Sequence, residues 1–355
     1  MESILTSPVD TPASQRALRA EAIKIQWDPT LPIFAKEEFL SAVGDEYGWL
    51  GGIDESGSPS CILPYTVICK AGVRMVRFRT EVLPCGMGLS VPEEGYFLND
   101  VVQHFRKVRA DVIIPASNNA IFRTYPEAAM AAPYGTYFVS LQKPENDLWA
   151  AVSSSHRRHV RAAEKAGVHV RNAPEHLAQA HTIVRDTFAK SSMPFMSLEK
   201  FTHLFEVLKG NAHLLVAELD GKIQCCMLIP FSGYAAYYMY GGSIPNAARG
   251  AMHLLHWEAM RTYRDMGVNR YDFYGARVNP APDSKAAGLA AFKERFGAEL
   301  NQGYIWKTRV STLKSTLYSF GVRWLRGGDI VDAEHHKLMP HLSVSDLRSR
   351  RQEST

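Results

Sequence analysis

The segment "GLAAFKERFGAEL", residues 288–300, sets a lysine among side chains that favour burial. At about 100° per residue, Leu289, Phe292, Phe296 and Leu300 share one helical stripe, and Lys293 falls inside it. Glu294 and Arg295 point the other way. A lysine so placed has three physical outlets. It carries its ammonium to water along a buried stem, pairs with a carboxylate, or lines a cleft.

A second charged pattern lies upstream. In "SSHRRHVRAAEKAGVHV" Arg158, Arg161 and Lys165 recur at i, i+3 and i+7 and share a helix face, which His156, Arg157 and His159 broaden. Gly167 suits a C-terminal cap. Such a face is either simply solvated or a contact for phosphates of RNA or of a nucleotide-linked acceptor, because arginine forks match phosphate oxygens. No aromatic residues interleave it, so any RNA contact would follow the backbone rather than the bases.

In "RYDFYGARVNP" Asp272 alternates with Tyr271 and Phe273 at a strand end, where open α/β sheets place their sites. It would orient an attacking amine, pair with a basic group, or satisfy loop amides before Gly275. Of Tyr237, Tyr238 and Tyr240, the last precedes Gly241-Gly242-Ser243 and is the cleft candidate, since glycines let a substrate approach the backbone. Thirteen histidines include no HExxH; His253 and His256 in "HLLH" lack a ligand set at usual spacing, so no metal ligands are assigned. Neither a Walker-type phosphate loop nor a GxSxG elbow occurs.

These residues need a scaffold, and 355 residues exceed one ordinary core, which predicts two domains. A hydrophobic share of 46% with 21% charge describes a well-folded chain, and the net charge of +4 does not by itself imply nucleic-acid binding. Five cysteines (Cys61, Cys69, Cys85, Cys225 and Cys226) form no CxxC pair and sit mostly in apolar runs, which fits a reducing cytoplasm. No signal peptide or 18-residue apolar run is read, and the polar ends, 1–20 and 340–355, are expected to be flexible.

The first half reads as mixed α and β: strand candidate "IKIQW", a helix over 32–43, strands "GWLGGID", "CILPYTVICKA" and "VRMVRFRTEV", helix "LNDVVQHFRKVR", then "DVIIPA" and "YGTYFVSLQ". The second half repeats the order. A helix over 148–166 leads to strand "VHVRNA", helices over 177–190 and 197–209, a meander turning at Asp220-Gly221, helix 250–266, "RYDFYGA", the Lys293 helix and "YIWKTRV". "GGIDESGSPSCILPYT" and "AELDGKIQCCMLIPFS" echo one another and favour two copies of one unit. The expected fold is a mixed-sheet α/β class with two tandem acyltransferase-like domains of GNAT layout, over 21–145 and 146–306. A C-terminal strand and helix, 307–339, packs back on the core.

Four segments carry a closer likeness: the basic helix ending in Lys-Ala-Gly-Val, "AAYYMYGGS", "LLHWEAMRTYRDMGVNRYDFYGA" and the Lys293 segment. In these the chain resembles the FemAB/FemX family of tRNA-dependent aminoacyltransferases, which extend peptidoglycan peptides. The resemblance implies a transferase moving an aminoacyl group from aminoacyl-tRNA to an amine, with no cofactor. Lys293 would then hold a donor phosphate or the oxyanion formed as the amine attacks the ester. With it, Asp272 and Tyr240 are the catalytic candidates, Ser243, Arg249, Phe292 and Arg277 the substrate-binding ones, and Arg158, Arg161 and Lys165 the RNA contacts.

Against an acyl-CoA donor, the place of the GNAT pyrophosphate loop reads "NAARGAMHLL", with Arg249 where its first glycine belongs. The family's coiled-coil arm is absent. The apolar "SSMPFMSLEKF" leaves the acceptor open among a peptidoglycan precursor, a peptide and a small metabolite. An acyl-CoA-dependent N-acyltransferase and an inactive GNAT-like binding module are the alternatives.

Overall fold

In a computed structural model, residues 18–86, 88–311, 314, 316 and 328–337 are described. The first half supplies β1 (Arg19–Ile23), α1 (Glu37–Val43), β2 (Glu46–Ile53), β3 (Pro59–Lys70), β4 (Val73–Phe78), β5 (Leu83–Pro84), α2 (Val91–Lys107), β6 (Val112–Ile113) and β7 (Met130–Ser140). Then follow α3 (Glu145–Ala151), α4 (Ser154–Lys165), β8 (His169–Asn172), α5 (Leu177–Ala189), α6 (Leu198–Val207), β9 (Ala212–Leu219), β10 (Lys222–Pro230), β11 (Ala236–Tyr237) and β12 (Tyr240–Ser243). The chain continues through α7 (Ala251–Asp265), β13 (Arg270–Asp272), β14 (Ala276–Arg277), α8 (Lys285–Glu294), β15 (Glu299–Arg309) and α9 (Ile330–Lys337). Class and order match expectation, with local differences. The first strand lies earlier than "IKIQW" and already includes Arg19 and Ala20, while helix 148–166 breaks at Val152, where the Ser153 side chain caps α4. Residues 1–17 and 340–355 lie outside the described residues.

The echo between the halves is structural. Each echoed stretch is an antiparallel hairpin, β2–β3 and β9–β10, and each carries a register shift beside its turn, at Gly52/Ile53 and at Ile223/Cys225. Asp220 and Gly221 both take positive φ, 49° and 71°, the conformation a two-residue hairpin loop requires.

The halves do not keep separate sheets. The larger sheet runs β1-β2-β3-β4-β6-β15-β7-β13-β11, with β5 on β3 and β14 on β7; the smaller runs β12-β10-β9-β8. β15 reaches β6 through Thr308 and Arg309, and pairs with β7 from Glu299 to Lys307. β7, from the first half, is thus bordered by second-half strands. α2 covers the first-half face with Phe97, Leu98, Val101 and Phe105, and α4 and α7 cover the second with Val160, Leu255 and Met260. A further core joins the halves, where Phe34, Phe39 and Trp49 meet Phe201, Leu204 and Tyr237. α9 returns to this body through the fully buried Val331, packed with Ala132 and Ile305.

The segment 236–243, which holds β11 and β12, divides between the two sheets. Tyr238 N donates to Asp272 O of β13 (2.8 Å), but the next amide, Met239 N, donates to Leu228 O of β10 (3.3 Å). The sheets therefore part at Tyr238–Met239, beside the end of β13.

Gly303 of β15 lies directly beneath the main chain at Phe122, so a Cβ there would run into the Phe122 carbonyl and lie 2.8 Å from the Ile121 side chain. Backbone cannot swing aside as a side-chain tip can. Gly303→Ala is expected to destabilise the protein by about 1–3 kcal/mol in urea unfolding; an unchanged midpoint would show that this crossing yields.

Candidate active site

The helix holding Lys293 is shorter than its sequence pattern. Ser284 caps it, accepting from Ala287 N (3.2 Å), and it ends at Glu294; Gly297 then turns the chain with φ 77° into β15. Phe296 and Leu300 therefore lie beyond the helix. Leu289 is 51% exposed and Leu300 36%, whereas Lys293 is the residue of α8 that is buried. The apolar stripe expected around the lysine does not form, because the helix stops before its lower half. Burial comes from what lies over the ammonium.

That cover is the turn after β13. Asp272 is fully buried, and its Oδ1 accepts from Thr136 Oγ1 (2.6 Å) and from Tyr274 N (2.7 Å). Thr136 Oγ1 in turn accepts from Gly275 N (3.1 Å). Tyr274 and Gly275 take positive φ, 58° and 81°, so the chain reverses sharply. A Cβ on Gly275 would lie 2.9 Å from Asn118 Cβ, which adds a steric reason for glycine. The reversal aims the Gly275 carbonyl at Lys293, whose Nζ donates to it at 2.5 Å.

Lys293 does not snorkel, and among the described residues it forms no ion pair: a carbonyl is its hydrogen-bond partner. Its Nζ also stands 5.9 Å from the centre of the Tyr137 ring, while Tyr137 Oη donates to Glu294 (2.6 Å). Burial pushes the Lys293 ammonium down to about 8, with the nearby Asp272 charge opposing. Burial also raises the Asp272 carboxyl above the usual carboxylate range, against the pull of Arg270. A buried lysine and a buried aspartate, both perturbed, at a strand end beside a sheet split, form a candidate catalytic constellation.

Asp272, being inaccessible, acts as a positioning residue for the turn that receives Lys293. Its Oδ2 is buried without a hydrogen-bond partner among the described residues. Tyr240 is not beside Lys293; it packs against Phe188, Phe195 and Phe201, and burial raises its hydroxyl to about 12. The adjacent glycines serve packing rather than substrate approach. A Cβ on Gly242 would lie 2.9 Å from the Ile183 carbonyl of α5, and one on Gly241 would meet the Tyr238 ring. Ser243 sits opposite Cys225 at the far end of β12.

Phe292 turns its ring toward His156, His253 and His256 rather than to an open cleft. Arg277 is held by Glu334 of α9 (3.1 Å). Arg249 is exposed just before α7. Arg158, Arg161 and Lys165 lie on the exposed face of α4, and Arg161 stacks 5.6 Å from the Trp149 ring centre. None of these three forms an ion pair among the described residues.

Sequence reading missed several groups. Thr136 and Tyr137 come from β7, in the other half of the chain, and nothing in their local sequence marks them. Arg79 is 7% exposed, with Nε on Thr66 Oγ1 (2.8 Å) and a terminal nitrogen on the Val43 carbonyl (2.9 Å), and no carboxylate among the described residues reaches it. Burial and the neighbouring Arg77 lower its pKa, while Tyr274 and Tyr240 oppose. Glu81 binds Arg270 (3.2 Å) and Tyr234 Oη (2.7 Å) at the edge of a cavity of about 300 Å³ that Glu94, Arg123, Asn301 and Gln302 also line. Lys293 does not line it.

This fold, with its split sheets and a helix–strand unit at the split, is that of the GNAT acyltransferases, and residues 151–293 match the acetyltransferase (GNAT) domain family. The match ends on Lys293. The chain is 37% identical over 96 residues to the lipid II:glycine glycyltransferase of Staphylococcus haemolyticus, a stretch covering 25% of this chain and 22% of that protein. It is 36% identical over 100 residues to the Staphylococcus aureus enzyme of the same name, covering 27% and 24%. The alignment thus spans less than a quarter of the length of these curated relatives. The crystal structure of FemX superposes with a TM-score of 0.62 at 15% identity, over 84% of this chain and 99% of that one. The chain is FemX-like in fold and, over about a hundred residues, similar in sequence to these glycyltransferases.

The Lys293 proton gives a stability test. The unfolded chain holds it up to about pH 10.4, the folded chain only to about 8. Stability therefore rises with pH across that window, and below it the buried cation weakens the fold. Lys293→Met is expected to be about 1–3 kcal/mol more stable than wild type at pH 7, after loss of the Gly275 hydrogen bond, with the gain fading toward pH 10.5. Thermal or urea unfolding across pH checks this; a variant less stable at pH 7 would indicate an ion pair instead.

Proposed function

We propose that this protein transfers an aminoacyl group from aminoacyl-tRNA to an amine, with a peptidoglycan precursor as the acceptor, and that Lys293 stabilises the reacting ester. The observation that carries the reading is the buried Lys293, held on a main-chain carbonyl at the end of the stretch that matches the acetyltransferase (GNAT) domain family. The acceptor amine attacks the ester carbon of the charged tRNA; a C–N bond forms and the carbonyl electrons move to oxygen. The tetrahedral intermediate then collapses, the C–O bond to the terminal ribose breaks, and the amine proton leaves with the ribose hydroxyl. Aminolysis of an ester runs downhill, so orientation and a preorganised cation suffice.

In this scheme Asp272, Thr136 and the Tyr274–Gly275 turn hold the Lys293 ammonium in place. Arg158, Arg161 and Lys165 meet tRNA phosphates. Arg79, a buried cation bonded to neutral oxygens, is suited to a phosphate of the acceptor. An acyl-CoA donor is disfavoured by the N-terminus of α7. Gly250 takes φ 85° there and packs on the main chain of α4, so that a Cβ would lie 2.8 Å from the His159 carbonyl carbon. α4 thus lies where a pyrophosphate would approach.

Single-turnover transfer from charged tRNA to a soluble peptidoglycan precursor tests the reading, with acetyl-CoA as the competing donor. Lys293→Met is expected to fold and to lose about 10²–10³ in rate, the scale of losing one oxyanion donor. Because the cation is the active form, the wild-type rate should fall as pH rises through about 8; the residual activity of Lys293→Arg should lack that limb. Wild-type rates in Lys293→Met, or transfer from acetyl-CoA alone, would overturn the assignment.

The α4 face has a separate readout. Replacing Arg158, Arg161 and Lys165 together with Ala should lower tRNA affinity and flatten its log–log salt dependence by roughly one unit per lost phosphate contact. An unchanged slope would leave this face merely solvated.

A further inference from the structure

α4 and α7 meet at their N-terminal turns. His156 and His159 sit at the start of α4, and His253 in the first turn of α7. Gly250 lets the helices approach this closely, since any side chain there would strike the His159 main chain. One imidazole nitrogen from each of the three lies within 4.8 Å of the other two. No sequence motif announces the group, because its members come from two helices nearly a hundred positions apart; "HLLH" is not the unit. His256, the other member of that pair, bonds Tyr271 Oη (2.9 Å).

The hydrogen bonding prepares these rings as ligands. His156 is 3% exposed, and its Nε2 lies 3.2 Å from the Phe292 carbonyl. A carbonyl only accepts, so Nε2 carries the hydrogen and Nδ1 keeps its lone pair. That Nδ1 is buried and finds no hydrogen-bond partner among the described residues, and the same holds for Nδ1 of His159. Buried imidazole nitrogens without partners are rare and call for a physical reason. Ligating histidines commonly donate their second N–H to a carbonyl, as His156 does. Phe292 and Phe296 pack on the His156 and His253 rings and form an apolar outer wall. Burial, with the imidazoles near one another, holds His253 down at about 4, so its ring is neutral at physiological pH.

We propose that His156, His159 and His253 bind one divalent transition-metal ion of the zinc type, clamping α4 to α7. Three imidazoles without carboxylates suit zinc, nickel or copper and not magnesium or calcium, which take oxygen ligands. Metal–nitrogen bonds of about 2.0–2.1 Å place tetrahedral ligand nitrogens about 3.3 Å apart, so ring rotations need close at most about 1.5 Å. A tetrahedral ion would complete its set with a water as fourth ligand. The site is distinct from the Lys293 ammonium but joined to it, because His156 holds the carbonyl of Phe292, the residue before Lys293.

The test uses the untagged full chain, stripped with a chelator and dialysed. Zinc chloride is titrated by calorimetry and cobalt(II) chloride by visible absorption, with melting followed in parallel. The expected result is one saturable ion per chain, tetrahedral-type cobalt bands and a higher melting temperature with zinc. His253→Gln and His159→Gln, chosen because both rings are only partly buried, should each weaken binding at least tenfold and abolish the thermal shift. Absence of saturable uptake by wild type, or unchanged uptake in either folded variant, overturns the proposal. Because the readout is metal binding, it stands or falls independently of any transfer activity.

Discussion

Much of this site depends on one buried cation and the main-chain carbonyl that receives it. An ammonium removed from water without partners is costly, and here Gly275 O is the acceptor. For that carbonyl to face α8, Tyr274 and Gly275 must adopt left-handed conformations, and for the turn to hold, Asp272 must be buried with Thr136 donating to it. Thr136 in turn is placed by β7, whose neighbours on the sheet are β13, β14 and β15. The lysine thus depends on strands from both halves of the chain.

The shared sheet explains why a repeated unit yields one asymmetric site. Both halves contain the bulged hairpin, but β15 inserts between β6 and β7 and gives the first half's last strand to the second half's neighbours. The sheets part between β11, which pairs with β13, and β12, which pairs with β10. A split of this kind opens the carboxyl end of β13, and the turn that follows it covers Lys293. Glycine contributes at specific close approaches: Gly303 under Phe122, Gly250 against α4 and Gly242 against α5.

Charge around the site is arranged by burial as much as by pairing. Lys293 and Arg79 are buried cations bonded to neutral oxygens, whereas Arg270 is neutralised by Glu81. Cations held by neutral groups retain attraction for an incoming anion, whether an ester oxygen as it gains charge or a phosphate. The imidazole cluster between α4 and α7 lies on the other side of Phe292. It ties the same helix to a second set of lone pairs.

The sequence alone disclosed the alternating strands and amphipathic helices, the repeated hairpin and the Asp220-Gly221 turn, because these depend on local periodicity and backbone preference. It also singled out Lys293 and Asp272, whose charges are out of place in apolar surroundings, and the resemblance to a transferase family lay in contiguous segments. Tertiary structure decided why Lys293 is buried. The helix ends early, Leu289 and Leu300 are exposed, and the covering turn comes from β13. It also decided that Tyr240 packs away from the lysine, that Phe292 faces histidines, that Arg277 is taken by Glu334 and that Thr136 supports the turn. Each of these is a contact between residues distant in the chain, set by the path of β7 and β15 through one sheet. Local pattern carries no record of such a path, since the same alternation of side chains permits a strand to lie beside many partners.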